Sequence, residues 1–406
     1  VLVGIRNARI WDGTSESYSS ARAVAISGDT IQAVADDIAG GENVIDAGGL
    51  TLLPGLIDAH FHAYASDVNI PHVESLPASY LAHHAAGLLG RALDRGFTTV
   101  RDAGGADWGL WKALEDGLVR GPRLFYAGRA ISQTGGHGDS RPTHLEPCGC
   151  RHVANLSEVA DGVDEVRRAA RETLRRGAHQ IKIFVSGGVS SPSDPIWMKQ
   201  FSADEIKAIV EEAERRRTYV MAHAYTADAI IHAVTNGVRS IEHGNLLDEE
   251  AAQAMAKHGA FLVPTLATYD ALLERGAELG LSEVSQSKLR EVAEKGAAAV
   301  AIARRAGVKI GFGTDLLGGL HDRQLHEFRL RSETDRPVDI LRSATSVNAE
   351  LLGRAGSLGE IRPGALADFV LVDGDPLNAL AVLHEQEPVA VIKGGRIERD
   401  RPRHPR

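Results

Sequence analysis

The chain has 406 residues, 43% hydrophobic and 24% charged, with 45 Lys and Arg against 54 Asp and Glu. This is the composition of a folded globular protein long enough for one large α/β barrel and an accessory domain. The formal net charge of −9 leaves no basic stripe for nucleic acid or an anionic membrane surface, and no apolar run approaches a membrane span, so neither is an expected partner.

The first fifty residues are short alternating runs punctuated by Gly, Asp and Asn: "VLVGIRNARIWDG", "ARAVAISGDTIQAVA" and "ENVIDAGGLTLLPG". This is the pattern of a small β-domain. The same texture returns in "ADFVLVDGDPL" and "PVAVIKGGRIERD", so residues 1–53 and 361–406 are expected to pair into one discontinuous β-sandwich. The chain opens on Val1, not Met, so the lack of a visible signal peptide carries little weight. A cytoplasmic location is the expectation, with a removed leader left open.

Between the ends, residues 54–360 alternate strand and helix. Candidate strands are 55–62, 98–105, 123–132, 180–188, 218–225, 240–245, 261–268 and 309–315, separated by amphipathic runs such as "VDEVRRAARETLRRG". Eight such units predict an α/β fold of the (β/α)8 TIM-barrel type. An open doubly wound sheet is the competing architecture, but no glycine-rich phosphate fingerprint follows the first strand. Cys148 and Cys150 in "PCGC" are too few for a disulfide framework and lack a second pair for a zinc knuckle.

Barrel chemistry gathers at the C-terminal ends of the strands. Those ends carry His60 and His62, Lys182, His223, His243 and Asp315. Residues two apart on a strand project to one side, so the His60 and His62 imidazoles can reach one metal ion. His223, His243 or Asp315 alone reads as an ordinary structural residue, and their value is joint. In "AHQIKIFVSGG" alternation sends Lys182 inward if its isoleucine neighbours face the helices. Burial lowers a lysine's pKa, and a neutral amine can take up carbon dioxide to become a carbamate. An ion pair with Asp315 or another buried carboxylate is the alternative. Asp102, in "RDAGG", reads as structural and paired to an arginine.

The segments "LPGLIDAHFH", "IKIFVSGG", "AHAY", "IEHGN" and "GFGTD", with the terminal "GEIRPGALADFVLVDGDPL", resemble the amidohydrolase superfamily. More narrowly they resemble its imidazolonepropionase-like branch of metal-dependent dipeptidases, which includes zinc prolidases. The resemblance spans the whole chain and implies a binuclear zinc site. His60, His62 and Asp315 would bind one ion, His223 and His243 the other, and a CO2-derived carbamate on Lys182 would bridge them. It also implies a homo-oligomer, often an octamer. Such a site would hydrolyse an amide by attack of a metal-bridging hydroxide, with Asp315 as the proton shuttle.

Two further segments read as substrate-binding. His137 in "SQTGGHGD" and Tyr225, two residues beyond His223, are similar to positions that contact the substrate carbonyl or terminal carboxylate in this branch. A loop-stabilising hydrogen bond and rim packing are the plainer roles. The long connection 186–202 reads as a lid, with Trp197 either in the substrate pocket or at a subunit contact. Xaa-Pro dipeptides are the first expected substrate. Carboxypeptidase-like release of Lys or Arg and hydrolysis of ochratoxin-type N-acyl amino acids follow, and phosphotriester or lactone hydrolysis comes after them. Mononuclear deaminases lack the lysine, and a non-catalytic relative would not keep all six ligand types.

Overall fold

The computed structural model describes residues 1–141, 156–191 and 194–400, so the segment with Cys148 and Cys150 lies outside it. Thr51–Pro54 pairs antiparallel with Phe369–Val372, setting Leu52 opposite Leu371 and Leu53 opposite Val370. This join puts both ends of the chain in one five-stranded sheet, ordered Arg396–Asp400, Ala390–Lys393, Phe369–Val372, Thr51–Pro54 and Arg9–Ile10. A four-stranded sheet packs against it, and Ile5, Val24 and Ile26 share a core with Leu52, Phe369, Leu371 and Ile392. Because successive side chains point to opposite faces, Val370 and Val372 turn the other way, onto Leu56 and Phe97 of the barrel.

Only Gly55 separates that sheet from the first barrel strand, Leu56–Phe61. Parallel strands follow at Phe97–Asp102, Arg123–Tyr126, Ile181–Phe184, Val220–Thr226, Ser240–Leu246, Phe261–Val263 and Lys309–Ile310. The third strand, expected as one run, breaks around Gly128, whose φ of 69° few other residues tolerate. Arg123–Tyr126 pairs with the second strand, while the continuation Ala130–Ser132 pairs with the fourth. The eighth is a regular strand for only two residues. Its extension still closes the barrel, through Asp315 N–H to the His60 carbonyl and Ala59 N–H to the Phe312 carbonyl, both 2.8 Å. Gly313 makes that closure possible, since a Cβ there would lie 2.7 Å from His60 Cβ and 2.5 Å from Val263 Cγ1.

Helices cover the outside for the reason alternation gives. Ile181 and Ile183 point outward and pack with Val166, Ala169, Ala170 and Leu174 of helix Gly162–Arg175, and with Ile206 and Ile209 of helix Ala203–Arg215. The second helix starts at a capping box between Ser202 and Glu205. Each fully buried Ile or Leu there contributes about 1.5–3 kcal/mol, and together they oblige Lys182 to face inward. The fold is a (β/α)8 barrel with a β-sandwich built from both chain ends. Among the described residues no helix is long and apolar enough to cross a membrane.

Candidate metal centre

His60, His62, Lys182, His223, His243 and Asp315 all line one cleft at the C-terminal mouth of the barrel, roughly 1000 Å³ counting its open mouth. Each imidazole has one nitrogen committed to the protein. His60 Nδ1 lies 2.6 Å from Glu242 Oε2 and His62 Nδ1 lies 3.2 Å from the Gly104 carbonyl. His223 Nε2 lies 3.1 Å from the Gly187 carbonyl and His243 Nδ1 lies 2.8 Å from Thr265 Oγ1. The carboxylate and carbonyl acceptors on His60, His62 and His223 fix those tautomers and leave their other nitrogens as lone pairs.

Two of those lone pairs converge on an anion. Nε2 of His60 and of His62 stand 3.2 and 3.1 Å from the same Asp315 Oδ1, and His60 Nε2 is buried without a hydrogen-bond partner. Lone pairs facing a carboxylate oxygen repel it unless a cation or proton sits among them. His60, His243 and Asp315 offer one donor atom each within 4.8 Å of one another, the N,N,O set that suits zinc or a similar divalent ion. Burial and the neighbouring histidine charges push His223 and His243 well below the usual histidine range, so both are neutral. Burial opposes ionisation of Asp315, but His60 and His62 outweigh it and hold the carboxyl well below its usual range.

Lys182 is 2% exposed, and burial lowers its amine from 10.5 to about 8 although Glu242 and Asp315 pull the other way. Among the described residues no carboxylate or carbonyl lies within hydrogen-bonding distance of that amine, which stands 5.6 Å from the centre of the Phe184 ring. A buried amine of this kind fits a group that is converted to an anion and then shared by cations.

The backbone is strained where these side chains are aimed. His243, Thr265 and Asp315 have φ of 75°, 52° and 52°, a left-handed region that costs a non-glycine residue about 1–3 kcal/mol. At His243 this breaks the alternation, so Glu242 and His243 both reach groups inside the barrel. Glu242 is fully buried, and Arg101 Nη2 donates to its two oxygens at 2.9 and 3.0 Å. Sequence reasoning missed Glu242 and Arg101, since only barrel closure brings them together. Asp102 is a correction: among the described residues it pairs with no arginine, and it accepts instead the amides of Ala63, Gly104 and Ala106 at 2.7–3.1 Å.

His137 and Tyr225 also line the cleft. His137 stacks on His223 with ring centres 4.5 Å apart, and its Nδ1 lies 3.2 Å from the buried Asp194. Gly188 lies flat beneath the ring, where a Cβ would come within 2.2 Å. The connection expected to be a lid is pinned: the Lys288 amine donates to the carbonyls of Gly188, Ser191 and Asp194. Trp197 is not brought to the cleft. It is 73% exposed and absent from the lining.

The amidohydrolase family model matches residues 51–397. The chain belongs to the amidohydrolase family. It is accordingly a hydrolase, and its likeness to known members extends over nearly its full length. A crystal structure of a prolidase complexed with N-methylphosphonate-L-proline superposes with a TM-score of 0.94 at 48% identity, covering 97% of this chain and 98% of that one. A Xaa-Pro dipeptidase with methionine in its active site gives 0.86 at 31% identity, covering 97% and 98%. The ochratoxinase of Aspergillus niger is 36% identical over 85% of this chain and 75% of its own.

Proposed function

We propose that this amidohydrolase is a binuclear zinc dipeptidase that cleaves Xaa-Pro dipeptides. The observation that carries the reading is the convergence of four neutral or anchored imidazoles, the Asp315 carboxylate and the buried Lys182 amine on one cleft. His60, His62 and Asp315 would hold one ion and His223 and His243 the other, and Lys182, once carboxylated by carbon dioxide, would supply an anionic oxygen ligand between them. Bound there, the ions supply a nucleophilic oxygen at neutral pH and polarise the scissile carbonyl.

The chain's own residues do the rest. Asp315 is ionised at neutral pH, so it can accept the proton released on attack and pass it to the departing nitrogen. That transfer is indispensable for an amide, whose nitrogen leaves only when protonated. Glu242 and Arg101 keep His60 aimed. His137, held by Asp194, and the Tyr225 hydroxyl face the cleft, where they contact the carbonyl or the terminal carboxylate.

Likeness to a prolidase bound to a proline phosphonate supports the imino acid as leaving group. The ochratoxinase relative, with the apolar side chains of Ile70, Leu156, Phe184, Leu272 and Leu317 on the cleft wall, favours N-acyl aromatic amino acids as the second reading. Amino-acid release by zinc-loaded enzyme from Ala-Pro, Ala-Arg and an N-acyl-phenylalanine tests this. Proline released fastest is the expected result. Phenylalanine released faster than proline would overturn the prolidase reading in favour of the second.

A further inference from the structure

The segment after the fourth barrel strand is gripped by a side chain about a hundred positions further on. Lys288, in helix Glu283–Ala293, donates its amine to the carbonyls of Gly188 at 3.1 Å and Ser191 at 2.7 Å, and to that of Asp194. An ammonium has three hydrogens to give, and three carbonyls of one short segment take them. The Lys288 side chain is only 12% exposed, and the Asp194 carboxylate stands 3.9 Å away to balance its charge. A loop that needed only a tether would not require so complete a match.

The other side of the same segment carries His137. The Gly188 amide donates to Asp194 Oδ2 at 3.0 Å, and that oxygen also lies 3.2 Å from His137 Nδ1 and accepts Gln200 Nε2 at 3.2 Å. Gln200 Oε1 in turn accepts the His137 amide at 3.0 Å. Gly188 is therefore held from both ends, its N–H by Asp194 and its carbonyl by Lys288. It lies against the His137 ring so closely that a Cβ would come within 2.2 Å. Where this backbone sits decides where the ring sits. Leu289 and Val292 of the Lys288 helix also share a core with Val189, Tyr269 and Leu272, and those three line opposite parts of the cleft. The amine thus sets one wall of the cleft against another.

We propose that Lys288 is a positioning residue, which fixes the Gly188 backbone and Asp194 and through them places the His137 ring against the substrate. The proposal rests on the reading of His137 as a substrate contact, and the test separates the two. Lys288→Met keeps the length of the side chain and removes its donors. Lys288→Arg keeps the charge but brings a planar fork to carbonyls that converge on a point. These, His137→Ala and the double variant Lys288→Met with His137→Ala are prepared with zinc. Affinity for N-methylphosphonate-L-proline is measured by calorimetry, and kcat and KM are measured on whichever amide the wild type cleaves.

Lys288→Met is expected to raise KM and weaken probe binding by about tenfold, the worth of one well-placed hydrogen bond, with zinc content as in the wild type. Lys288→Arg should lose about threefold, and it carries the same comparison if the methionine variant does not fold. In the His137→Ala background, Lys288→Met should change KM by less than about twofold, because Lys288 acts through His137. A lysine with a purely structural role would lower the melting temperature of the variants and leave the KM of the folded enzyme unchanged. That result, or the full tenfold loss repeated without His137, would overturn the proposal. His137→Ala with the KM and probe affinity of the wild type would overturn the reading of His137 itself. His137→Ala impaired beside an unimpaired Lys288→Met would leave that reading standing and remove only the positioning role. A wild type that neither cleaves prolyl dipeptides nor binds the probe would overturn the prolidase reading, and Lys288 is then judged by KM on the amide that is cleaved.

Discussion

Replacing Glu242 by glutamine isolates what holds the first histidine in place. The carboxylate receives His60 Nδ1 at 2.6 Å, Arg101 Nη2 at 2.9 and 3.0 Å, and the Ser240 hydroxyl. Glu242, Arg101 and His60 are all fully buried. A glutamine keeps the shape but turns an NH2 onto a donor, and it leaves the Arg101 guanidinium buried without a counter-charge. Two unit charges about 4 Å apart attract by about 4 kcal/mol at an effective dielectric of 20, and removing one member of a buried pair costs about 3–5 kcal/mol. The variant should therefore lose stability by that amount in urea unfolding of the metal-free protein. It should also bind zinc about 10–100-fold more weakly in competition with a chelator. The double variant Arg101→Met with Glu242→Met should recover most of the stability, because neither charge is then desolvated. It should not recover zinc affinity, because His60 still lacks its acceptor. A glutamine variant equal to wild type in both assays would refute this reasoning, and a double variant that regained full zinc affinity would limit Glu242 to a folding role.

Lys182 must be neutral to capture carbon dioxide, and burial lowers its amine to about 8; at a fixed partial pressure of carbon dioxide, zinc should reactivate metal-free enzyme about 25-fold faster at pH 8.5 than at pH 6.5, whereas equal rates would contradict a carbamate. Asp315→Asn should keep the fold by circular dichroism while turnover drops about 10²–10⁴-fold, and a variant retaining full activity would remove Asp315 as the proton shuttle. Glu327 is buried, and burial raises its carboxyl from 4.5 to about 8 against the pull of Arg331. The folded chain thus holds a proton that the unfolded chain releases between those values, and wild-type stability falls as pH rises through the window. Glu327→Gln should flatten that slope and unfold at higher urea than wild type at pH 8 but not at pH 5.

The strand ends were legible in the sequence because side chains on a strand obey a period of two, and because His60, His62, His223, His243 and Asp315 lie towards the ends of apolar runs while Lys182 interrupts one. The sandwich was legible for a similar reason, in the matching texture of the two termini. What stayed hidden depends on closure or on departures from regular geometry. Arg101 meets Glu242 across 141 positions of sequence. Glu242 faces inward beside His243 only because the backbone at His243 turns left-handed. Asp102 looked like half of an ion pair, whereas backbone amides arriving from two loops satisfy it.

The pairing of Thr51–Pro54 with Phe369–Val372 has a consequence for the order in which the protein is made. A ribosome producing about 5–20 residues per second completes the partner strand roughly 15–60 s after the first one emerges. Through that interval one edge of Thr51–Pro54 stays open, and Leu52 and Leu53 lack their partners Leu371 and Val370. The sandwich is therefore among the last parts of the molecule to close, and a nascent chain of this kind is a natural client for a chaperone that shields strand edges.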